Sequence, residues 1–269
     1  SLSSSPLSYV HPRRPRRSGR MTTDTDATAT LTQFTDPMCT WCWGSEPVLR
    51  RLRTAYGDRV RFEFVMGGLV EDFDEFSDPA NDISDPGDVG PHWTEASAHH
   101  GMPVDTAIFE TDPAESTYPA SVAFVAARRQ DRTLGHRYLR RLREAYATEV
   151  RNVNRRAEQV RVAESVGLDV DRFVADVESG RAREAFEADL RRTREAGVRS
   201  FPTYDLRGPE GERRAVGVWS FEDLRAALSA VAPSLSARDP PALRTFVAEY
   251  GPVATRETAE VCNVNDARA

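Results

Sequence analysis

The sequence predicts an α/β fold in the order β-α-β, a block of helices, β-β-α, with a small helical appendage at the C-terminus. Short apolar and β-branched runs mark the strands, whereas the region up to about residue 197 has apolar residues at helical spacing. With 269 residues, 39% of them hydrophobic, the chain is long enough to bury one sizeable core.

The first unit begins with a predicted strand over residues 31–36 and a turn at Pro37. Residues 60–69 begin with apolar/polar alternation and predict a second strand. The helix between them has its apolar residues at helical spacing: Val48, Leu49, Leu52 and Tyr56. Because strand–helix–strand units cross over in a right-handed sense, the two strands should be parallel.

The helical insertion is predicted over about 72–197, and it opens with a loop over 72–91 rich in Asp, Pro and Gly. Ser116 is a candidate cap for its next helix, Gly167 a helix end and Asp169 a helix start. Its apolar stripes are Val122, Phe124, Val125 and Ala126, then Tyr138, Leu139, Leu142 and Tyr146, then Val160, Val162, Ala163 and Val166, and then Phe173, Val174 and Val177.

The second unit is predicted to be a β-hairpin followed by a helix. Residues 202–206 and 214–218 are the predicted strands, with a Gly-Pro-Glu-Gly turn over 208–211, and Ser220 caps a final helix that extends to Val231. A linker over 232–241 precedes a helical tail at 242–269 that resembles an incomplete helix–turn–helix. Without a basic patch, two interpretations stay open: part of a DNA-binding motif, or a tail that packs on the body or on a partner.

Composition limits the function classes. Residues 1–28 are predicted to be a disordered leader, because they are rich in Arg, Ser and Pro and lack the apolar stretch of an export signal; Met21 is the preferred start. Without the first 20 residues, which hold five arginines and no acid, the net charge falls from −6 to −11. This acidity argues against nucleic acid as a partner, and no run of about 18 apolar residues predicts a membrane span. Three cysteines in this length predict a reducing cytoplasm.

Cys39 and Cys42 form a Cys-x-x-Cys pair at the junction between the first predicted strand and the first predicted helix. Unpaired backbone N–H groups and the helix dipole favour an anion there, which we expect to be the Cys39 thiolate. Structural zinc would need two more ligands, and no second pair at ligand spacing exists. The remaining candidates are scattered: Cys262, His92, His99, His100 and His136. We therefore expect redox chemistry with no metal and no organic cofactor.

Four segments carry a family resemblance: 35–44 (Thr-Asp-Pro-Met-Cys-Thr-Trp-Cys-Trp-Gly), Gly67-Gly68-Leu69, 118–121 (Tyr-Pro-Ala-Ser) and 197–203 (Gly-Val-Arg-Ser-Phe-Pro-Thr). With the order of elements, the sequence resembles the thioredoxin fold, and its helical insertion resembles the DsbA family of thiol–disulfide oxidoreductases, in the FrnE-like branch. The likeness covers about residues 31–231.

The resemblance implies roles for individual residues. Cys39 would attack a protein, peptide or small-thiol disulfide, Cys42 would resolve the mixed disulfide, and Pro202 would be the cis-proline facing them; an ordinary trans turn proline is the alternative. Phe201 would pair with an extended substrate through its backbone. Thr40 stands where the family often has Pro, and we expect its hydroxyl near the Cys39 sulfur. Trp41 and Trp43 would form an apolar rim, although a core position suits Trp43 equally.

Two further readings stay open. The same architecture resembles kappa-type glutathione transferases and chromene-carboxylate isomerases, which activate glutathione and carry Ser at the first position of the pair. Cys39 and Cys42 argue against that class. Cys262 is interpreted as a buried or idle thiol, with an intermolecular link as the other possibility. The redox partner is not indicated by the sequence.

Overall fold

The computed structural model describes residues 27–265, so the predicted leader lies outside the described residues except for its last two positions, and so do residues 266–269 of the tail. A four-stranded sheet in the order β2-β1-β3-β4 forms the centre of the described part. Its strands are β1 Ala29–Thr35, β2 Val60–Met66, β3 Thr203–Gly208 and β4 Gly211–Val216. The α/β thioredoxin-like order predicted from the sequence is confirmed.

The strand pairing brings three chain segments to one edge of the sheet. β1 pairs with β2 in parallel, as predicted, from Ala29 opposite Val60 to Thr35 opposite Met66. β1 pairs with β3 antiparallel, with Phe34 opposite Thr203. Residues that follow β1, follow β2 and precede β3 therefore meet at this edge.

Twelve helices are described. They are α1 Thr40–Gly44, α2 Glu46–Tyr56, α3 Val89–His100, α4 Ile108–Thr111, α5 Tyr118–Gln130, α6 Arg132–Thr148, α7 Arg156–Val166, α8 Val170–Glu178, α9 Arg181–Glu195, α10 Phe221–Val231, α11 Leu243–Tyr250 and α12 Thr255–Cys262. The caps predicted at Gly167, Asp169 and Ser220 are confirmed.

Several predicted boundaries are wrong, and one is the second hairpin strand, which was expected over 214–218 and is observed over Gly211–Val216. The loop expected over 72–91 contains three 3-10 turns and ends at Val89, where α3 begins. Pro91 is accepted there because the first turn of a helix has no internal partner for its N–H groups. The N-cap of α5 is Thr117, and the Ser116 hydroxyl instead accepts from the Tyr118 N–H at 3.1 Å. The second strand stops at Met66, before Gly67 and Gly68.

The core joins the sheet to the helical insertion. One cluster of buried apolar side chains contains Leu31 and Leu206 from the sheet together with Phe124, Tyr138 and Phe173 from the insertion. A smaller cluster in the tail contains Phe246, Val261 and Cys262. Within residues 27–265, none of the helices has the length and hydrophobicity needed to cross a membrane.

The tail does not stand apart from the body. α12 packs against α2, and α11 packs against α12. The guanidinium of Arg51 on α2 pairs with Glu260 on α12 at 2.9 Å. The described part of the tail packs on the body, and its resemblance to a helix–turn–helix stays a prediction.

Candidate active site

The two thiols lie at the start of α1. Cys39 is the N-cap residue, and its Sγ accepts a hydrogen bond from the Cys42 N–H at 3.2 Å, so it occupies one of the unpaired donors of the first turn. Both cysteines are free thiols. Both are buried, but Cys39 is 3% exposed and Cys42 is 0% exposed, so Cys39 lies nearer the surface.

The electrostatics of the pair differ from the expectation that Cys39 carries the charge. Burial raises the pKa of Cys39 well above that of an ordinary thiol, and the neighbouring Cys42 raises it further. The pKa of Cys42 is lowered although its burial opposes this, because the Cys39 thiol donates to it and the Arg143 guanidinium and the Thr35 hydroxyl face it. Arg143 therefore favours a negative charge on Cys42, and the two thiols ionise as a pair.

Arg143 supplies a buried positive charge next to the pair. It lies on α6, is fully buried, and donates to the Glu46 carboxylate and to the Thr35 hydroxyl. Burial lowers the pKa of Arg143, but the negative charges of Glu46 and of the cysteines outweigh it and raise the value. Arg140 lies 3.7 Å from the same Glu46 carboxylate, so two cations from α6 flank one acid from α2.

Asp36 fixes the backbone around the site. Its carboxylate is fully buried and accepts from Met38 N at 2.8 Å and Leu69 N at 2.9 Å. It also accepts from the Thr117 hydroxyl at 2.7 Å. Burial raises the pKa of Asp36, and the backbone donors oppose that rise. Asp36 thus ties the turn after β1 to the loop after β2 and to the start of α5.

The segment before β3 closes the site. The Phe201–Pro202 peptide bond is cis, and the Phe201 carbonyl oxygen lies 3.9 Å from the Cys39 Sγ. The Phe201 ring packs over Gly67, where an added Cβ would lie 1.9 Å from the ring Cζ. This contact explains why glycine follows β2. Gly68 has a φ of +67°, which also favours glycine.

The Thr40 hydroxyl binds His100 rather than the Cys39 sulfur expected from the sequence. Thr40 Oγ1 lies 3.3 Å from His100 Nε2, and the Met102 N–H donates to His100 Nδ1 at 3.1 Å, so Nε2 carries the proton and donates. Burial lowers the pKa of His100 to about 4, which keeps the ring neutral. Trp41, the residue after Thr40, is partly buried and packs against three imidazole rings: His92, His99 and His100.

Trp43 belongs to the core and not to a surface rim. Its ring is 2% exposed, and its Nε1 donates to the Pro103 carbonyl at 2.9 Å. The Arg140 guanidinium lies 4.5 Å from the centre of the ring. Of the two positions considered for Trp43, the core position is the one observed.

Sequence reasoning brought Cys39, Cys42, Thr40, Phe201 and Pro202 to the site, and the structure places all five at the same edge of the sheet. It missed three polar side chains that support the pair: Glu46, His100 and Arg143. Arg143 had a signal, since it lies three or four positions from Leu139 and Tyr146 and so shares the apolar face of α6. Among residues 27–265, no three His, Cys, Asp or Glu side chains are grouped so as to hold a metal ion.

The fold and the cysteine pair define a protein of the thioredoxin class, with a Cys-x-x-Cys motif at the first helix and a helical insertion. The family model for thioredoxin matches residues 33–220, and the chain belongs to that family. Its architecture is that of the DsbA-like members. Membership of the FrnE-like branch stays a prediction.

Similar proteins fall into two groups. The ClpXP adapter protein SpxH of Halalkalibacterium halodurans is 30% identical over 232 residues, which cover 85% of this chain and 76% of the relative. SpxH of Shouchella clausii is 29% identical over 242 residues, 88% of this chain and 78% of the relative. The solved structure of the cytosolic disulfide reductase DsbM from Pseudomonas aeruginosa has a TM-score of 0.57 and 22% identity, and the match covers 75% of this chain and 93% of that one.

Proposed function

We propose that this protein is a cytoplasmic thiol–disulfide oxidoreductase that exchanges disulfides through Cys39 and Cys42. The observation that carries the proposal is the position of the Cys39 sulfur, which caps α1, nears the Phe201 carbonyl and has a second thiol buried behind it. Its substrates would be protein, peptide or small-thiol disulfides. Two thiols on one helical turn can close a disulfide with little movement of the backbone.

The chemistry begins with a proton transfer inside the pair. The lowered pKa of Cys42 lets its thiolate accept the proton of the Cys39 thiol as Cys39 attacks a substrate disulfide. A Cys39–substrate disulfide forms, and the other substrate sulfur leaves as a thiolate that takes the proton from Cys42. The Cys42 thiolate, stabilised by Arg143, then attacks the Cys39 sulfur. The pair becomes a disulfide and the substrate leaves with two reduced sulfurs.

The substrate would bind as an extended strand. Pro202 has no N–H, and Phe201 offers its main chain next to the Cys39 sulfur, so a peptide adds to this edge through backbone hydrogen bonds. Thr40 and Trp41 lie beside Cys39 in the motif and would contact the same peptide. This binding mode recognises the backbone of the substrate peptide more than its side chains, which suits a protein that acts on several disulfides.

The test is reduction of insulin by dithiothreitol with wild-type protein and single variants. We expect Cys39→Ser to abolish the catalysed rate and Cys42→Ser to trap a covalent adduct with substrate. Cys262→Ser is the control, since Cys262 belongs to the tail cluster, and it should retain the full rate. An unchanged rate in Cys39→Ser would refute the proposal.

The direction of exchange follows from the reduction potential of the couple in a glutathione buffer. A value near about −270 mV would make the protein a reductant, and a value near about −120 mV an oxidant. Because Arg143 stabilises the thiolate of the reduced pair, it shifts the potential toward the oxidant end.

A second candidate function is that of an adapter for the ClpXP protease. The 30% identity to an SpxH protein over 85% of this chain favours it. The test is a pull-down of purified ClpXP with the immobilised chain, and degradation of a bound client in its presence. Wild-type binding by Cys39→Ser together with loss of insulin reduction would show two separable roles, whereas no binding by any form would reject the adapter.

Glutathione conjugation remains the third alternative. A transferase activity that survives in the double variant Cys39→Ser/Cys42→Ser would support it. Loss of all activity in that variant would favour the exchange chemistry.

A further inference from the structure

A large cationic cleft lies away from the cysteine pair. It has a volume of about 930 Å³ and lies between the second half of α2, the start of β2 and the first half of α6, with the end of α11 at one side. Three acids line it: Asp58, Glu144 and Glu249. Eight arginines line it: Arg50, Arg53, Arg59, Arg61, Arg132, Arg137, Arg140 and Arg141. None of Cys39, Cys42, Phe201 or Pro202 is among its lining residues.

In the described part of the chain, Arg53 lines the cleft without a salt-bridge partner, and the acid whose charge acts on it is Glu46. It is partly buried on α2, and within residues 27–265 it makes no hydrogen bond or ion pair. Its guanidinium instead lies over two aromatic rings, 5.3 Å from the centre of Phe62 and 5.2 Å from that of Phe64. A charged group taken from water is normally paired, so an unpaired guanidinium facing a cavity indicates a binding position for an anion.

The imidazole of His136, next to Arg53, is also surrounded by positive charges. His136 lines the cleft, and its ring packs edge-on against Phe64 with centroids 4.8 Å apart. Burial, and then the charges of Arg53, Arg132 and Arg128, lower the pKa of His136 to about 2. Three guanidiniums thus act on this ring.

The charged side chains that line this cleft are mostly positive, whereas the chain as a whole has a negative net charge. The net charge of the whole chain is −6, and yet arginines outnumber acids by more than two to one around this cavity. Guanidinium groups match phosphate oxygens with paired N–H donors. The volume falls within the range of about 300–1,000 Å³ that is typical of small-molecule sites, which is more room than a single inorganic ion requires.

We propose that this cleft is a binding site for a small organic phosphate, with the phosphate held by Arg53 and by Arg137 at the exposed rim. The phosphate chemistry is preferred because several guanidiniums converge on one cavity, which favours a ligand with more than one negative charge. The site does not depend on the disulfide chemistry proposed above, and either proposal can fail without the other.

The test is titration calorimetry of the full chain at low salt with inorganic pyrophosphate, ADP and citrate as probes. We expect both phosphates to bind and citrate to bind at least tenfold more weakly. Arg53→Met keeps the apolar stem over the rings, removes the charge, and should weaken pyrophosphate binding at least tenfold. Arg137→Gln, at an exposed position, is the second variant and should weaken it severalfold without any effect on folding.

Arg213→Gln is the matched control, because Arg213 is exposed on β4 and is not part of the cleft lining. It should leave the dissociation constant within twofold of wild type. Absence of phosphate binding, or equal losses in Arg137→Gln and Arg213→Gln, would overturn the site. Citrate binding as tightly as pyrophosphate would overturn its assignment to phosphate. Insulin reduction by Arg137→Gln should match wild type.

Discussion

The carboxylate of Glu257 on α12 pairs with the guanidinium of Arg140 on α6 at 2.9 Å, and the Glu257 side chain is completely buried. Glu257 also lies 3.3 Å from Arg50 on α2. Arg140 in turn lies 3.7 Å from Glu46, which accepts from Arg143 beside Cys42. A chain of alternating charges therefore runs from the C-terminal tail to the thiol pair.

The first prediction concerns this buried acid. Glu257→Gln would leave Arg50 and Arg140 short of a negative charge, and breaking a buried pair costs about 3–5 kcal/mol when one charge is left alone. Because Arg140 keeps Glu46 and Glu144, we expect a smaller loss of about 1–3 kcal/mol in urea unfolding. Glu260→Gln on the same helix is the control, and it should cost less than about 1 kcal/mol because its side chain is 12% exposed. Equal losses in both variants would contradict the role of the buried position.

The second prediction concerns the ionisation of the thiols. Arg143 lowers the pKa of Cys42, so Arg143→Met should raise the pH at which the first thiolate appears in ultraviolet absorbance. The double variant Arg143→Met/Glu46→Gln also removes the carboxylate that Arg143 had paired with, and it should show the same shift in a more stable protein. The first ionisation should persist in Cys39→Ser and disappear in Cys42→Ser. The opposite pattern would place the charge on Cys39.

The third prediction concerns the contact between Gly67 and Phe201. Gly67→Ala would place a Cβ 1.9 Å from the Phe201 ring, so the ring and the backbone next to Cys39 must move. We expect a loss of about 1–3 kcal/mol in stability, as for other overpacked sites, and a clear drop in insulin reduction. In the control Gly90→Ala the nearest atom belongs to Phe109 at 3.4 Å, an ordinary contact, and the rate should be unchanged. A wild-type rate in Gly67→Ala would show that Phe201 need not hold this position.

The fourth prediction concerns acid stability. The pKa of His136 falls from 6.5 in the unfolded chain to about 2 in the folded one, so protonation favours unfolding. The free energy of unfolding that neutral His136 contributes is therefore complete above pH 6.5 and is lost as the pH falls below that value. Between pH 7 and 5 we expect about 1–2 kcal/mol of lost stability from this group in urea titrations. His136→Gln should flatten that pH dependence; an identical slope would contradict the assignment.

Local patterns were sufficient for most of the scaffold. β1, β2, the hairpin of β3 and β4 and the caps at Gly167, Asp169 and Ser220 all follow from residues close together in sequence. The cysteine pair belongs to the same category, since a strand end, a proline turn and a helix start are local features. Boundaries were less secure where 3-10 turns and close glycine contacts decide where an element ends.

The polar side chains around the thiols could not be predicted from local sequence patterns. Arg143 meets Glu46 across 97 positions of sequence, and Thr40 meets His100 across 60. Periodicity tells which side of a helix is buried, but it does not tell which side chain from another helix lies opposite. The expectation of a charged Cys39 considered the helix start alone and could not include Arg143, which lowers the pKa of Cys42.

The sequence by itself determined the order of strands and helices and the placement of two sulfurs at a helix start, because these depend on neighbours along the chain. Only the tertiary structure decided that Arg143 faces Cys42, that Glu257 of the tail is buried against Arg140, and that Arg53 lines a cleft with seven other arginines. Coulomb interactions and desolvation depend on distances in space and on exclusion of water, and folding creates both.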